Sequence, residues 1–323
     1  MGTGAKEAFP QRIVSLLPGA TEMVASLGLE DRLVGISHAC DFPPTVRTRP
    51  VVVRPRLDTR GMDPGDVDRW VSAELGQGNS LYEVDEQALA GLRPDLILTQ
   101  DLCEVCAASS GDLLPALRSL SPRPTVLTQN PHRLPEVLDA LGELGRRTGR
   151  EGLAEELLRT ARARLSRVQQ QVCNLPVRRV VFLEWLDPVY GSGHWVPDMV
   201  DLAGGQDPLG RRGVPSVRIP WTKVVEARPE VLLLGPCSVP VPEVVRQAAA
   251  LLDREGFDAL PAVRQGEVYA VDARSYFACP GPRLVDGVEL LGHLLHPEAV
   301  TWTGAKDAYV RLRPAEEAGR PPR

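Results

Sequence analysis

Leu89-Ala90-Gly91-Leu92-Arg93-Pro94-Asp95-Leu96-Ile97-Leu98 reads as a helix end, an Arg-Pro-acid corner and an apolar strand, and Val224-Val225-Glu226-Ala227-Arg228-Pro229-Glu230-Val231-Leu232-Leu233 repeats that order. Proline lacks the N–H a helix needs and biases the residue before it away from the α region, so each helix ends at its arginine. The apolar run that follows does not alternate, which is the pattern of a parallel strand covered on both faces. Two copies of one unit at matching places predict an internal repeat and two α/β halves.

Working outward, the first half opens with a strand over 13–17, turned by Pro18-Gly19-Ala20-Thr21-Glu22 into a helix ending near Gly28. A strand over 33–37 leads into His38-Ala39-Cys40-Asp41-Phe42-Pro43-Pro44, and 84–92 reads as a helix. Further elements are a strand at 126–128 and a helix over 135–147. The second half repeats the logic, with strands over 179–185, 229–235 and 268–271 and helices over 196–203, 221–227 and 282–295. Between the halves, Leu153 to Val172 reads LAEELLRTARARLSRVQQQV, strong helix formers with apolar residues three and four apart and no Gly or Pro. The fold class predicted is α/β: two Rossmann-like lobes with central parallel sheets, bridged by one long α-helix. The boundaries follow as a flexible N-terminus 1–11, a first lobe 12–149, a bridging helix 150–175, a second lobe 176–297 and a C-terminal tail 298–323.

The 323 residues are 43% hydrophobic and 24% charged, enough for two cores of domain size. A net charge of -5 gives no electrostatic reason to expect nucleic acid or an anionic membrane surface as a partner. No apolar run reaches the roughly 18 to 20 residues of a membrane-spanning helix. The polar stretch 1–11 carries no secretory pattern, so the expectation is a cytoplasmic protein as written, periplasmic or extracytoplasmic if the true start lies upstream, and a monomer.

Ligands of open α/β sheets sit beyond the carboxyl ends of the strands. The residues placed there are Pro18, Gly19 and Thr21, then His38 and Cys40, then Asp101, Cys103 and Cys106 in the first half. In the second half they are Glu184 and Trp185, His194 and Trp195, and Tyr276, Phe277, Cys279 and Arg283. Aromatic faces there suit a flat, partly apolar ligand. Cys103-x-x-Cys106, completed by Cys40 or Cys279, could chelate a soft metal ion or act as a redox pair; the reading set ahead of metal binding is that these cysteines are buried or merely line loops. The histidines read either as ligands or as satisfied polar residues, and the tryptophans either as ligand faces or as core. No nucleophile elbow, His-Glu-x-x-His, Walker lysine or dinucleotide glycine pattern is present.

These residues resemble a family. Arg12-Ile13-Val14-Ser15-Leu16-Leu17-Pro18-Gly19-Ala20-Thr21-Glu22, Val34-Gly35-Ile36-Ser37-His38-Ala39-Cys40-Asp41-Phe42-Pro43, Arg93-Pro94-Asp95-Leu96-Ile97, Gly193-His194-Trp195-Val196-Pro197 and Pro280-Gly281-Pro282-Arg283 carry the likeness. It is to the substrate-binding proteins of cobalamin and iron-siderophore ABC importers, nearest the cobalamin-binding branch, over about 12–297. The resemblance implies a non-catalytic protein holding cobalamin or a related corrinoid between its lobes, needing no cofactor of its own. It also implies docking on an ABC permease through one glutamate per lobe; at those positions stand Gln87, beside Glu86, and Thr222. The readings carried beside it are a cytoplasmic metal or metallocofactor carrier using the clustered cysteines, and a thiol-dependent enzyme.

Overall fold

The computed structural model describes residues 9–101 and 108–312. By its internal contacts the chain divides into two units. Unit 1 comprises Met1–Asp58, Glu74–Pro131 and Pro135–Thr160; unit 2 comprises Thr59–Ala73, His132–Leu134 and Ala161–Arg323. The short loans Thr59–Ala73 and His132–Leu134 depart from the sequence-predicted boundaries. They are set by where side chains find partners, which chain order does not reveal.

In chain order, unit 1 contains β1 (Ile13–Ser15), α1 (Pro18–Ser26), β2 (Leu33–Ser37) and β3 (Val51–Pro55). After α2 (Pro64–Gly76), most of which lies in unit 2, come β4 (Tyr82–Val84), α3 (Glu86–Leu92), β5 (Leu96–Thr99), α4 (Ser110–Ser119), β6 (Thr125–Thr128) and α5 (Leu134–Thr148). The strands form one sheet in the order β4-β3-β2-β1-β5-β6, parallel throughout except for the antiparallel β3–β4 edge. Its central strands are covered on both faces: Ile13, Val14, Leu33, Ile36, Val52, Leu96, Ile97 and Leu98 are all buried.

Helix α6 (Glu151–Val172) carries the chain from unit 1 into unit 2. Its buried residues Ala154, Leu158, Leu165, Val168 and Val172 fall at spacings of four, seven, three and four residues, one apolar stripe on a polar rod. Within unit 2, Arg164 donates to Glu289 at 2.9 and 2.6 Å and also pairs with Asp286.

Unit 2 continues with β7 (Arg178–Leu186), β8 (Val189–Gly191), β9 (Gly193–His194), α7 (Val196–Leu202), β10 (Gly205–Gln206), β11 (Arg211–Arg212), α8 (Trp221–Ala227), β12 (Val231–Leu234) and α9 (Val241–Leu252). The remaining elements are α10 (Pro261–Arg264), β13 (Val268–Val271), α11 (Ala273–Tyr276), α12 (Leu284–Leu295) and β14 (Tyr309–Leu312). The main sheet runs β10-β7-β12-β13-β14, with β8 antiparallel on β7 and β14 antiparallel on β13. Val181, Leu183, Val224, Leu232, Leu234, Val244, Leu251 and Ala270 make one continuous core.

Both sheets have the expected parallel centres, with β4, β8 and β14 added antiparallel. The stretch after 297 is not all tail: Tyr309–Leu312 pairs along the whole of β13. Four residues with no long apolar run are too little signal for a strand.

The internal repeat is visible atom by atom. Arg93 and Arg228 end α3 and α8 in the left-handed region, at φ 44 and 46. Asp95 takes the backbone N–H groups of Gln11 and Arg12 at 2.8 and 2.9 Å, and Glu230 takes that of Arg179 at 2.8 Å. The N–H groups of Asp95 and Glu230 return bonds to the carbonyls of Arg12 and Arg179. Arg12 and Arg179 donate in turn to Leu92 O and Ala227 O, the last residues of the two helices. The register matches, with Leu96 beside Ile13 and Val231 beside Val180. Each acidic residue therefore clamps the start of the first strand of its own unit. Asp95→Ala is expected to lower stability by about 2 kcal/mol and Glu230→Ala by about 1 kcal/mol, since one clamp has two charged bonds and the other has one. Denaturant titration of the single and double variants should give additive losses, the sites being far apart in sequence and sharing no partner.

Candidate functional site

In unit 1 the predicted residues separate into an enclosed group and an exposed group. Thr21 is fully buried, its hydroxyl 2.8 Å from Ser15 Oγ and 3.0 Å from Cys40 Sγ. Cys40 is 3% exposed and also meets Ser37 Oγ at 3.4 Å; burial pushes its thiol pKa up, which opposes thiolate formation. Gly19 is buried and Pro18 half-buried. Thr21 and Cys40 thus knit the β1–α1 corner to the end of β2. His38 and Asp101 are exposed. The His38 ring lies 5.9 Å from that of Tyr82, and the Asp101 backbone is held by Asn130 Oδ1 at 2.7 Å. Cys103 and Cys106 lie outside the described residues.

In unit 2 the segment 191–216 carries the predicted His194 and Trp195, and two carboxyls staple it to β7. Glu184 accepts from Gly193 N at 2.8 Å and from the Ser216 hydroxyl. Asp207 accepts from Ser192 Oγ at 2.7 Å, Leu209 N at 3.0 Å and Phe182 N at 3.3 Å. Burial raises the pKa of both, that of Glu184 to about 7, in each case against the hydrogen bonds that favour the charged form. Glu184 therefore positions the His194 segment.

His194 sits at φ 48, an uncommon backbone for a residue with a side chain. Its ring stacks on Trp195 at 5.4 Å and lies 6.0 Å from His132. Its Nε2 is buried with no hydrogen-bond partner among the described residues, and burial, with the nearby His132, lowers its pKa. Trp195 is 5% exposed, its indole donating to Phe277 O at 2.7 Å, and Phe277 is packed edge-on against Phe182. Both aromatics are buried, and the indole N–H and the Phe277 carbonyl satisfy each other there. Trp185, Tyr276 and Arg283 remain half-buried at the surface of the unit.

A family model described as periplasmic binding protein matches residues 13–275. The chain belongs to the periplasmic binding protein family. Among its relatives is an uncharacterized ABC transporter substrate-binding lipoprotein of Bacillus subtilis, YvrC, 25% identical over 296 residues, covering 90% of this chain and 81% of that protein. A vitamin B12-binding protein of Vibrio cholerae is 24% identical over 284 residues, covering 87% and 88%. The crystal structure of a periplasmic heme binding protein from Pseudomonas aeruginosa superposes with a TM-score of 0.66 at 21% identity, covering 90% of this chain and 94% of that one.

Within this periplasmic binding protein, no group of three or more His, Cys, Asp or Glu side chains among the described residues is arranged to hold a metal ion. No helix among them is long and apolar enough to cross a membrane. Several residues of the site escaped the sequence reading. Asp198, at the start of α7, takes both Arg133 Nε and Nη2 at 2.7 Å and Leu134 N at 3.1 Å. Asp207, Tyr190 and Arg218 also went unread. Only the acidic residue in the first turn of a helix, at Asp198, offered a signal; the others gain meaning from partners remote in sequence.

Proposed function

We propose that the chain is a non-catalytic carrier that binds a corrinoid of the cobalamin type and delivers it to an ABC permease outside the cytoplasm. The observation that carries this reading is the near full-length relationship, on both sides, to a vitamin B12-binding protein. Family membership supports capture of a small molecule without chemical change to it. The half-buried Trp185 and Tyr276, with Arg283 near the latter in sequence, supply the apolar face and polar edge a macrocycle needs. In unit 1, His38 and Asp101 are exposed. The predicted docking positions are exposed: Glu86 and Gln87 open α3, and Thr222 lies on α8 beside the Lys223–Glu226 pair.

Titration with cyanocobalamin, followed by tryptophan fluorescence and visible absorbance, tests the reading. Saturable quenching in the micromolar range or tighter is expected, with Trp185→Ala weakening binding about tenfold through loss of one aromatic face. No change at high micromolar ligand would remove cobalamin from consideration. Fractionation of the native host tests the location, recovery with cytoplasmic markers being the adverse result.

A further inference from the structure

Helix α2 contains no buried residue, yet it is held in unit 2 by hydrogen bonds that converge on three side chains. Tyr190 donates to Asp68 Oδ1 at 3.0 Å. Arg218 Nη2 donates to Asp68 Oδ2 and to Ser72 Oγ, each at 2.7 Å, while its Nε reaches the Tyr190 hydroxyl at 2.9 Å. Trp185 Nε1 divides its proton between Pro64 O at 3.2 Å and Asp187 O at 3.0 Å. The Asp68 side chain is only 12% exposed. Gly61 and Gly78, on either side of the helix, stand at φ +76 and +75 with open space where a side chain would be. A helix whose apolar residues Val67, Trp70, Val71 and Leu75 are only half-buried leans on such polar contacts, and two permissive glycines flank its ends.

The contacts run one way. Tyr190, Arg218 and Trp185 present donors at the carboxyl end of β7 and along β8, and α2 presents only acceptors to them. A phenol and a guanidinium sharing one carboxylate form a recognition pair for a carboxylate from any source. We propose that Tyr190 and Arg218, with the Trp185 indole beside them, form a carboxylate-binding subsite that Asp68 occupies in this conformation, and that α2 is a flap which a carboxylate-bearing ligand displaces. The exchange conserves charge at Arg218 and returns a mostly buried Asp68 to water. The inference rests on the carrier reading only in that a macrocycle brings the carboxylate. It adds that an acid-bearing periphery is preferred to a fully amidated one.

The test uses the full chain, wild type, Asp68→Asn/Ser72→Ala and Arg218→Met. Amide hydrogen exchange over 64–76 is expected to quicken at least about tenfold in the double variant, since the Ser72 contact is removed and the charged Asp68 contacts are weakened while only the Trp185–Pro64 bond is untouched; unchanged exchange would overturn the flap. Two dicyano-corrinoids with one ring system, cobyrinic acid with free carboxylates and cobinamide with amides, separate the chemistry. Cobyrinic acid is expected to bind the double variant about fivefold more tightly than wild type, because the competing carboxylate is gone. Arg218→Met should abolish the preference for the acid over the amide; a preference that survives would overturn the subsite. If neither corrinoid binds any form while exchange is still accelerated, the corrinoid reading fails and the flap stands on the exchange result.

Discussion

Gly193→Ala is expected to destabilise the protein by about 3 kcal/mol, lowering its thermal midpoint by roughly 6 to 12 °C. A Cβ at this position would lie 2.9 Å from both Pro215 C and Ser216 Cα, and closer still to Ser216 N. Backbone atoms, unlike the tip of a flexible side chain, cannot swing aside. Nor can the 193 strand retreat, for its N–H is held by Glu184 and β9 is registered on β11, with His194 N on Val214 O at 2.8 Å and Gly213 N on His194 O at 2.9 Å. Relief of the clash therefore breaks bonds that fix the His194 ring. Gly152→Ala in α6 is the control: nothing lies within 4 Å of its added carbon. It should gain about 0.5 to 1 kcal/mol from helix propensity. Calorimetry of the two variants checks the contrast, and a Gly193→Ala protein as stable as wild type would mean that the β9–β11 segment is loosely held.

Stability should fall by about 3 kcal/mol between pH 4.5 and pH 8 through Glu184 alone. In the unfolded chain the carboxyl titrates near its ordinary 4.5, whereas in the folded protein burial holds it to about 7. Between those values the native state binds the extra proton. The contribution of Glu184 is thus fully present below pH 4.5, declines as pH rises, and is lost once pH passes 7. Asp207 is raised in the same direction by its own burial. Glu184→Gln isolates the first group: the difference in unfolding free energy between variant and wild type cancels every other titration. That difference should grow in favour of the variant from pH 4.5 upward and level off above about pH 7.5. A flat difference would show that the carboxyl is solvated and titrates normally.

The two effects meet in one segment, and they explain why a glutamate in the middle of an apolar strand is tolerated. Glu184 interrupts the buried run Val180-Val181-Phe182-Leu183 because its carboxyl is the partner for Gly193 N. An apolar residue there would leave that N–H unpaired and the His194 segment unanchored.

Local sequence determined the periodic elements. The Arg-Pro corners at 93–94 and 228–229 end their helices by proline sterics, the unalternating runs after them are parallel core strands, and the stripe from Ala154 to Val172 is a long helix. Those signals lie within a few residues of one another, so backbone propensity and burial period suffice to read the α/β class and the paired halves. Tertiary structure alone decided which polar side chains face outward. Thr21, Cys40, Trp195 and Phe277 stand at strand ends like any ligand contact, but each found its partner inside. It decided equally that Asp68 should meet Tyr190 and Arg218. Hydrogen bonds between residues more than a hundred positions apart leave no periodic trace along the chain, because their geometry comes into being only when the sheet has brought both partners to one edge.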